Sequence, residues 1–191
     1  MTYLYVVRCN FTRPDLEASW NAWYGGEKVR QLLGKPMFRA VQRFRLASGS
    51  GRGYVALWQV ASPQAFDTAE YKADWGFSEW RPYIVDWSRD LFDARAARGA
   101  GLAVPIDGAL QVITFDGMDG AGAQAARASL ADAADTWCPC AGLDRHTPMI
   151  GLRVSPDAAR LPSSPARAPA GVQIGVYRPI SAFCTAEQPA L

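Results

Sequence analysis

The residues best suited to chemistry gather between positions 20 and 45. Trp20, Trp23 and Tyr24 are followed by Gly25-Gly26 and then by the adjacent pair Glu27-Lys28. Bulky rings anchor a segment, glycines loosen it, and charges arrive where the chain can bend, a composition suited to the mouth of a pocket. Tyr24 could orient a ligand through its phenol and Glu27 could take a proton, with Lys28 a nearby cation. Neighbours on a helix point about 100° apart, so Glu27 and Lys28 equally describe an ordinary solvated surface. Arg39, Arg43 and Arg45 alternate along the next β-rich run and therefore share a face, with Arg43 central. Such a row could hold a carboxylate or an enolate-like anion, or line the wet side of a strand.

Elsewhere the chemistry is sparser. His146 is the single histidine, with Asp144 two residues before it, and an Asp-His pair on a strand could act as a base. A lone histidine beside Thr147-Pro148 equally suits a turn. One histidine with scattered cysteines does not provide the recurrent spacing of a metal site, so no metal is expected. Gly49, Gly51 and Gly53 lie between two strands rather than before a helix, which excludes a phosphate-binding loop. Cys138-Pro139-Cys140 is C-x-C, and the four cysteines have no framework spacing, so they are read as reduced.

With 191 residues, 49% hydrophobic and 20% charged, the chain has the composition of a globular protein able to bury a core. The net charge of +2 lacks the concentrated basic face that nucleic acid requires. No apolar run reaches the ~18–20 residues of a bilayer span and no leader pattern opens the chain, so membrane association is not expected and the cytoplasm is the default location.

The elements that must position these residues follow from periodicity. Residues 3–11 read as a strand, and Thr12-Arg13-Pro14-Asp15 as a capped helix start with Leu16, Trp20 and Trp23 on one stripe, ending at Gly34-Lys35-Pro36. Residues 37–46 and 54–60 read as strands joined by a Gly/Ser hairpin, Ser62-Pro63 opens a second helix through Tyr71, and 84–92 is a fourth strand. The order β-α-β-β-α-β is ferredoxin-like. A fainter copy follows: a strand at 109–115, an Ala-rich helix at 122–135, strands within 143–154 and 172–180, and a Pro/Ala/Ser-rich loop at 155–170. The expected fold class is therefore α+β, with two ferredoxin-like βαββαβ halves at 1–95 and 109–185, a linker at 96–108 and a tail at 186–191.

W-x-x-W-Y ending at Tyr24, Glu27, Leu32-Leu33, Pro36, Arg39 and Arg43, Tyr54-Val55-Ala56-Leu57-Trp58, Ser62-Pro63 and Glu70-Tyr71 together resemble the EthD-like group of dimeric α+β barrel proteins. The resemblance covers 3–92 and extends faintly over 109–180. It implies two ferredoxin-like sheets packed face to face, a ligand in the cleft between sheet and helices, and turnover of small metabolites. The family commonly carries Glu-His where this chain has Glu27-Lys28, so a family acid–base histidine is replaced by an amine that titrates usefully only if buried.

The resulting expectation is a cofactor-independent acid–base enzyme, an isomerase or lyase, acting on a small aromatic or lactone-type metabolite. Glu27 or Tyr24 would move the proton, Arg43 would stabilise the anion, and Trp23, Trp58, Arg39 and Lys28 would hold the substrate. Two alternatives stay open: a non-catalytic binding or assembly protein of the same fold, and a haem protein using His146. A homodimer is compatible with exposed strand edges.

Overall fold

The computed structural model of the protein describes residues 3–97, 103–157 and 168–187. Part of the expected linker, most of the Pro/Ala/Ser-rich loop and the end of the tail lie outside the described residues. Strands β1 (Tyr3–Phe11), β2 (Phe38–Gly49), β3 (Tyr54–Val60) and β4 (Ile84–Asp93) come from the first part of the chain. β5 (Ala109–Thr114), β6 (Thr136–Leu143), β7 (Met149–Ser155), β8 (Gln173–Pro179) and the short β9 (Cys184–Thr185) come from the rest. The helices are α1 (Glu17–Trp23), α2 (Val29–Leu33), α3 (Ala69–Ala73) and α4 (Gly120–Ala128).

The first four strands pair in the order β4-β1-β3-β2, and the next four in the order β6-β7-β5-β8. Two further antiparallel seams, β4 with β6 and β2 with β8, join these groups. The result is an α+β protein built on an eight-strand antiparallel barrel, with β9 laid along β2. Ring closure leaves the eight barrel strands with partners on both sides, which removes the exposed edge that an open sheet must protect.

Alternation along β1 explains how the layers form. Leu4 and Val6 point into the barrel with Phe44, Leu57, Phe92, Leu110, Ile150 and Tyr177. Tyr5, Val7 and Cys9 point outwards beneath the helices with Trp20, Tyr24, Leu32, Trp58 and Tyr71. Both faces are buried, so Tyr3 to Val7 in β1 reads as a continuous apolar run rather than an alternating one. A third cluster, including Ile113, Phe115, Ala123 and Ile174, lies under α4.

Several sequence expectations are corrected locally. Thr12 does not cap the first helix: its hydroxyl donates to Tyr83 O (3.1 Å), and the chain enters through a 3-10 turn at Pro14–Leu16. Gly25-Gly26 lie in a π-helical turn, Tyr24–Lys28, that joins α1 to α2. The second helix is reduced to a 3-10 turn, Pro63–Phe66, and the five residues of α3. The Ala-rich helix ends at Ala128, and Thr136–Leu143 forms the unexpected strand β6. Among the described residues, no helix is long and apolar enough to cross a membrane.

Candidate functional site

The π turn creates the site. An ordinary α-helix advances 100° per residue, so a ladder spaced by four drifts around it, whereas a turn of i→i+5 pairing winds less. Trp20, Tyr24, Lys28 and Leu32 therefore all remain on the buried side, with Lys28 only 3% exposed. A Cβ on Gly25 would lie 3.9 Å from Arg43 Nη1, an ordinary contact, so the turn does not need glycine there for space.

Beneath the turn, a small cleft is lined by Tyr5, Val7, Tyr24, Lys28, Leu32, Tyr71, Trp75, Gly76, Phe77, Trp87 and Arg89. Its free space is ≈ 20 Å³, room for about one water. The Tyr5 and Tyr71 hydroxyls are 3.2 Å apart, and Arg89 Nη1 donates to Tyr71 Oη (3.4 Å). Arg89 also lies 4.2 Å over the Trp75 ring and is held from outside by Asp144 (3.2 Å). Lys28 Nζ donates to Gln31 Oε1 (2.7 Å), and among the described residues no carboxylate lies within ion-pair distance of it.

Burial sets the protonation states. Desolvation draws the Lys28 amine down to about 8, against the opposing pull of Asp74 and Glu27, while Lys35 adds to the fall. Desolvation raises Tyr5 well above the ordinary phenol value and pushes Tyr24 up to about 12, so both remain hydrogen-bond donors at neutral pH. The cleft thus combines an amine that titrates near neutrality, phenols that keep their protons, and a guanidinium.

The Lys28 shift carries a stability consequence. Its folded value lies below the unfolded one, so between about 8 and the ordinary lysine value the unfolded chain binds more protons. Its contribution is least favourable below 8 and improves as pH rises through that window. Lys28→Met is accordingly expected to stabilise the ligand-free protein at pH 7 by on the order of 1–2 kcal/mol. Thermal melts from pH 7 to 10.5 should also lose the parent's upward slope; an unchanged slope would show that Lys28 is not the group responsible.

Arg43 stands behind this cleft rather than in it. Its guanidinium, 3% exposed, donates to Asn21 O (3.1 Å) and Asn21 Oδ1 (2.8 Å) and lies 4.1 Å over the Tyr24 ring. Among the described residues it has no carboxylate partner, and burial lowers its pKa to about 10. A second void of ≈ 10 Å³ contains Arg43, Cys9 and Trp20, with Val7 and Tyr24 shared between the two spaces. Tyr24 is the partition between them. The Trp20 Nε1–H is buried there without a partner.

The remaining expected residues are not brought together. Glu27 is exposed and outside the cleft. Arg39 is exposed at an irregularity in the β2–β3 register, which breaks the expected row with Arg43, and Arg45 instead pairs with Glu17 (3.0 Å). Trp58 is fully buried edge-on to Phe38, and Trp23 is half-buried against Trp80; neither lines the cleft. Asp144 is engaged by Arg89, while the exposed His146 offers its backbone N–H to Asp90 (2.7 Å), so the expected Asp144–His146 pair does not form. An exposed loop histidine outside the described cavities does not fit a haem ligand. Among the described residues, no cluster of three or more His, Cys, Asp or Glu could hold a metal ion.

Tyr5, Tyr71, Phe77 and Arg89 were not anticipated as site residues, whereas Trp75 and Trp87 belong to a Trp-dense stretch whose composition suits a flat aromatic ligand or a subunit interface. The legible signal was the four-residue ladder through Lys28, which places a lysine on an otherwise apolar stripe.

No family model matches the sequence, and no curated protein sequence is similar to it. Among solved structures, an anthrone oxidase-like protein matches over 99% of this chain and 94% of its own, with a TM-score of 0.61 and 9% identity. A protein from Lactobacillus acidophilus NCFM, named as a candidate monooxygenase, matches over 97% of both chains with a TM-score of 0.52 and 6% identity. These likenesses show that the chain shares the fold of these proteins. At such identities the likeness concerns architecture alone, because unrelated reactions share folds of this kind.

Proposed function

We propose that this protein is a cofactor-independent acid–base enzyme of the isomerase or lyase type, acting on a small aromatic or lactone-type metabolite in the cleft under the π turn. The observation that carries this reading is the buried Lys28 amine, set among phenols and aromatic walls with Arg89 across the cleft. Lys28 takes over proton transfer from the exposed Glu27, because an amine titrating near 8 can both accept and return a proton at working pH. Tyr24 donates a hydrogen bond to the substrate, and Arg89 balances the negative charge that develops on an enolate or phenolate. Arg43 acts through Tyr24, holding its ring and adding positive potential from behind.

A ring does not fit ≈ 20 Å³, so entry requires the mouth to move. Trp75 is 43% exposed there, and the adjacent Gly76 has φ +99° with open space around it, a position suited to bending. The same opening is required of the alternative, a barrel that binds without turnover, so the test must separate binding from reaction.

The whole chain is a fused pair of ferredoxin-like halves of the EthD-like type, divided at 1–95 and 109–185. In support, the two strand groups repeat one order, β4-β1-β3-β2 and β8-β5-β7-β6, and each encloses a helix after its first strand. A homodimer would then have to use a surface other than a barrel edge, which sedimentation velocity measures directly.

The experiment is a thermal-shift and calorimetric screen with 4-hydroxybenzoate and aromatic lactone acids, followed by chromatography of each binder after incubation. Stabilisation by a ring-bearing acid is expected, since a ligand of the folded state raises its melting temperature. Arg89→Met should weaken binding by about tenfold or more, in the range of one lost charge-assisted contact, and Glu27→Gln should leave it unchanged. Binding with product formation supports the enzyme, and binding without product favours the non-catalytic alternative. No stabilisation by any acid, or an equal loss in Glu27→Gln, overturns the site.

A further inference from the structure

The chain has three lysines, Lys28, Lys35 and Lys72, in three different settings. Lys35 Nζ donates to Glu70 O (2.5 Å), and Lys72, with its side chain 63% exposed, faces Asp67 at 3.8 Å. Lys28 alone is enclosed, with a neutral Gln31 acceptor on Nζ and walls formed by Tyr24, Tyr71, Trp75, Phe77 and Trp87. An amine enclosed in this way is poorly solvated as the ammonium and so exposes its lone pair near neutral pH.

Resting on the reading of this cleft as a small-molecule site, we propose that Lys28 forms an imine with aromatic aldehydes or ketones that carry an acidic ring substituent. The aromatic walls suit a flat ring, and the Arg89 guanidinium, 4.2 Å over Trp75, suits a phenolate or carboxylate on it. The neutral amine attacks the carbonyl carbon, forming a C–N bond while the carbonyl π pair moves to oxygen. The carbinolamine then loses that oxygen as water together with the two amine hydrogens, leaving C=N. Amine and carbonyl give imine and water, and no oxidant or reductant takes part.

Titration of the amine supports the same geometry: burial lowers Lys28 to about 8. The groups facing it are Asp74, Glu27 and Lys35, together with Tyr5, Tyr24, Tyr71 and Arg89 from the cleft.

The test uses the full chain with 4-hydroxybenzaldehyde and sodium cyanoborohydride at pH 8, read by peptide mass mapping. Reduction of an imine would leave a 4-hydroxybenzyl group on Lys28 in at least about tenfold excess over Lys35 and Lys72, because an ordinary lysine is almost wholly protonated at that pH. The excess should vanish in urea, where the cleft is gone, and Lys28→Arg should lose it while Lys35 and Lys72 keep their parent levels of label. Labelling of Lys35 or Lys72 ahead of Lys28, or an excess that survives urea, overturns the proposal. Stabilisation by 4-hydroxybenzoate with Lys28 unlabelled sinks the imine alone. Selective labelling of Lys28 without any response to the acid keeps the imine and sinks the acid–base reading.

Discussion

Trp20→Ala is expected to destabilise the protein by about 3–5 kcal/mol, the range for removing a fully buried aromatic from a packed core. Trp20 is 0% exposed and stacks on Phe11 with centroids 4.5 Å apart and planes 4° from parallel. It meets Tyr54 edge-on at 4.5 Å, contacts Tyr24 at 6.1 Å, and lies under the Arg43 guanidinium at 5.2 Å. These contacts tie α1 to β1, β2 and β3 at once. A short helical segment has little stability of its own, so its position depends on this anchor. Against a typical total of about 5–15 kcal/mol, such a loss moves the chain near its unfolding threshold. Urea titration followed by far-UV circular dichroism measures it. A loss below about 1 kcal/mol would mean that the helix is held mainly by other contacts.

Arg8→Met is expected to cost a comparable amount, about 3–5 kcal/mol at pH 8, for an electrostatic reason. Arg8 is 2% exposed on the inner side of β1 and pairs with the fully buried Asp90 (3.2 Å) and with Asp116 (2.9 Å). Asp116 also holds Arg52 (2.7 Å) in the turn between β2 and β3, and Asp90 accepts the His146 N–H. The network therefore joins β1, β4, the end of β5 and the loop before β7. Removal of Arg8 leaves Asp90 as a buried charge without its cation. Burial already raises the Asp90 pKa, opposed chiefly by the His146 N–H and by Arg8. A raised aspartate binds more protons folded than unfolded, so its contribution worsens as pH rises from the ordinary aspartate value through the raised one. The loss in Arg8→Met should therefore be smaller at pH 5 than at pH 8, and Arg8→Met/Asp90→Asn should recover part of it. Equal losses at both pH values, with no recovery in the double variant, would assign the effect to packing rather than charge.

The sequence and the structure agree where local physics decides. β1 and β3 occupy the expected residues, and β4 differs by one, because runs rich in Val, Ile, Tyr and Trp bounded by turn residues have few other outcomes. The hairpin of Gly and Ser between β2 and β3 and the start at Ser62-Pro63 are legible for the same reason. They diverge where a partner distant in sequence decides. β6 contains Cys138-Pro139-Cys140-Ala141-Gly142, where no strand was expected, and it becomes a strand because β7 and β4 supply hydrogen-bond partners on either side.

The candidate site divides along the same line. Residue types alone named Tyr24, Lys28 and Arg43 as chemically capable, since a phenol, an amine and a guanidinium are what they are in any fold. Their environments depended on packing. The π turn buries Lys28 while leaving its neighbour Glu27 in solvent, a distinction invisible in two adjacent charged letters. An irregular register sends Arg39 outwards while Arg43 goes under Tyr24. Tyr5, Tyr71 and Arg89 meet across as many as 84 positions of sequence because β1 and β4 are neighbours in the barrel. Composition and periodicity are properties of neighbours along the chain, and they determined the strands, the turns and the candidate groups. Burial, desolvation and contact are properties of neighbours in space, and only the closed barrel determined which of those groups share a cleft and which amine loses its water.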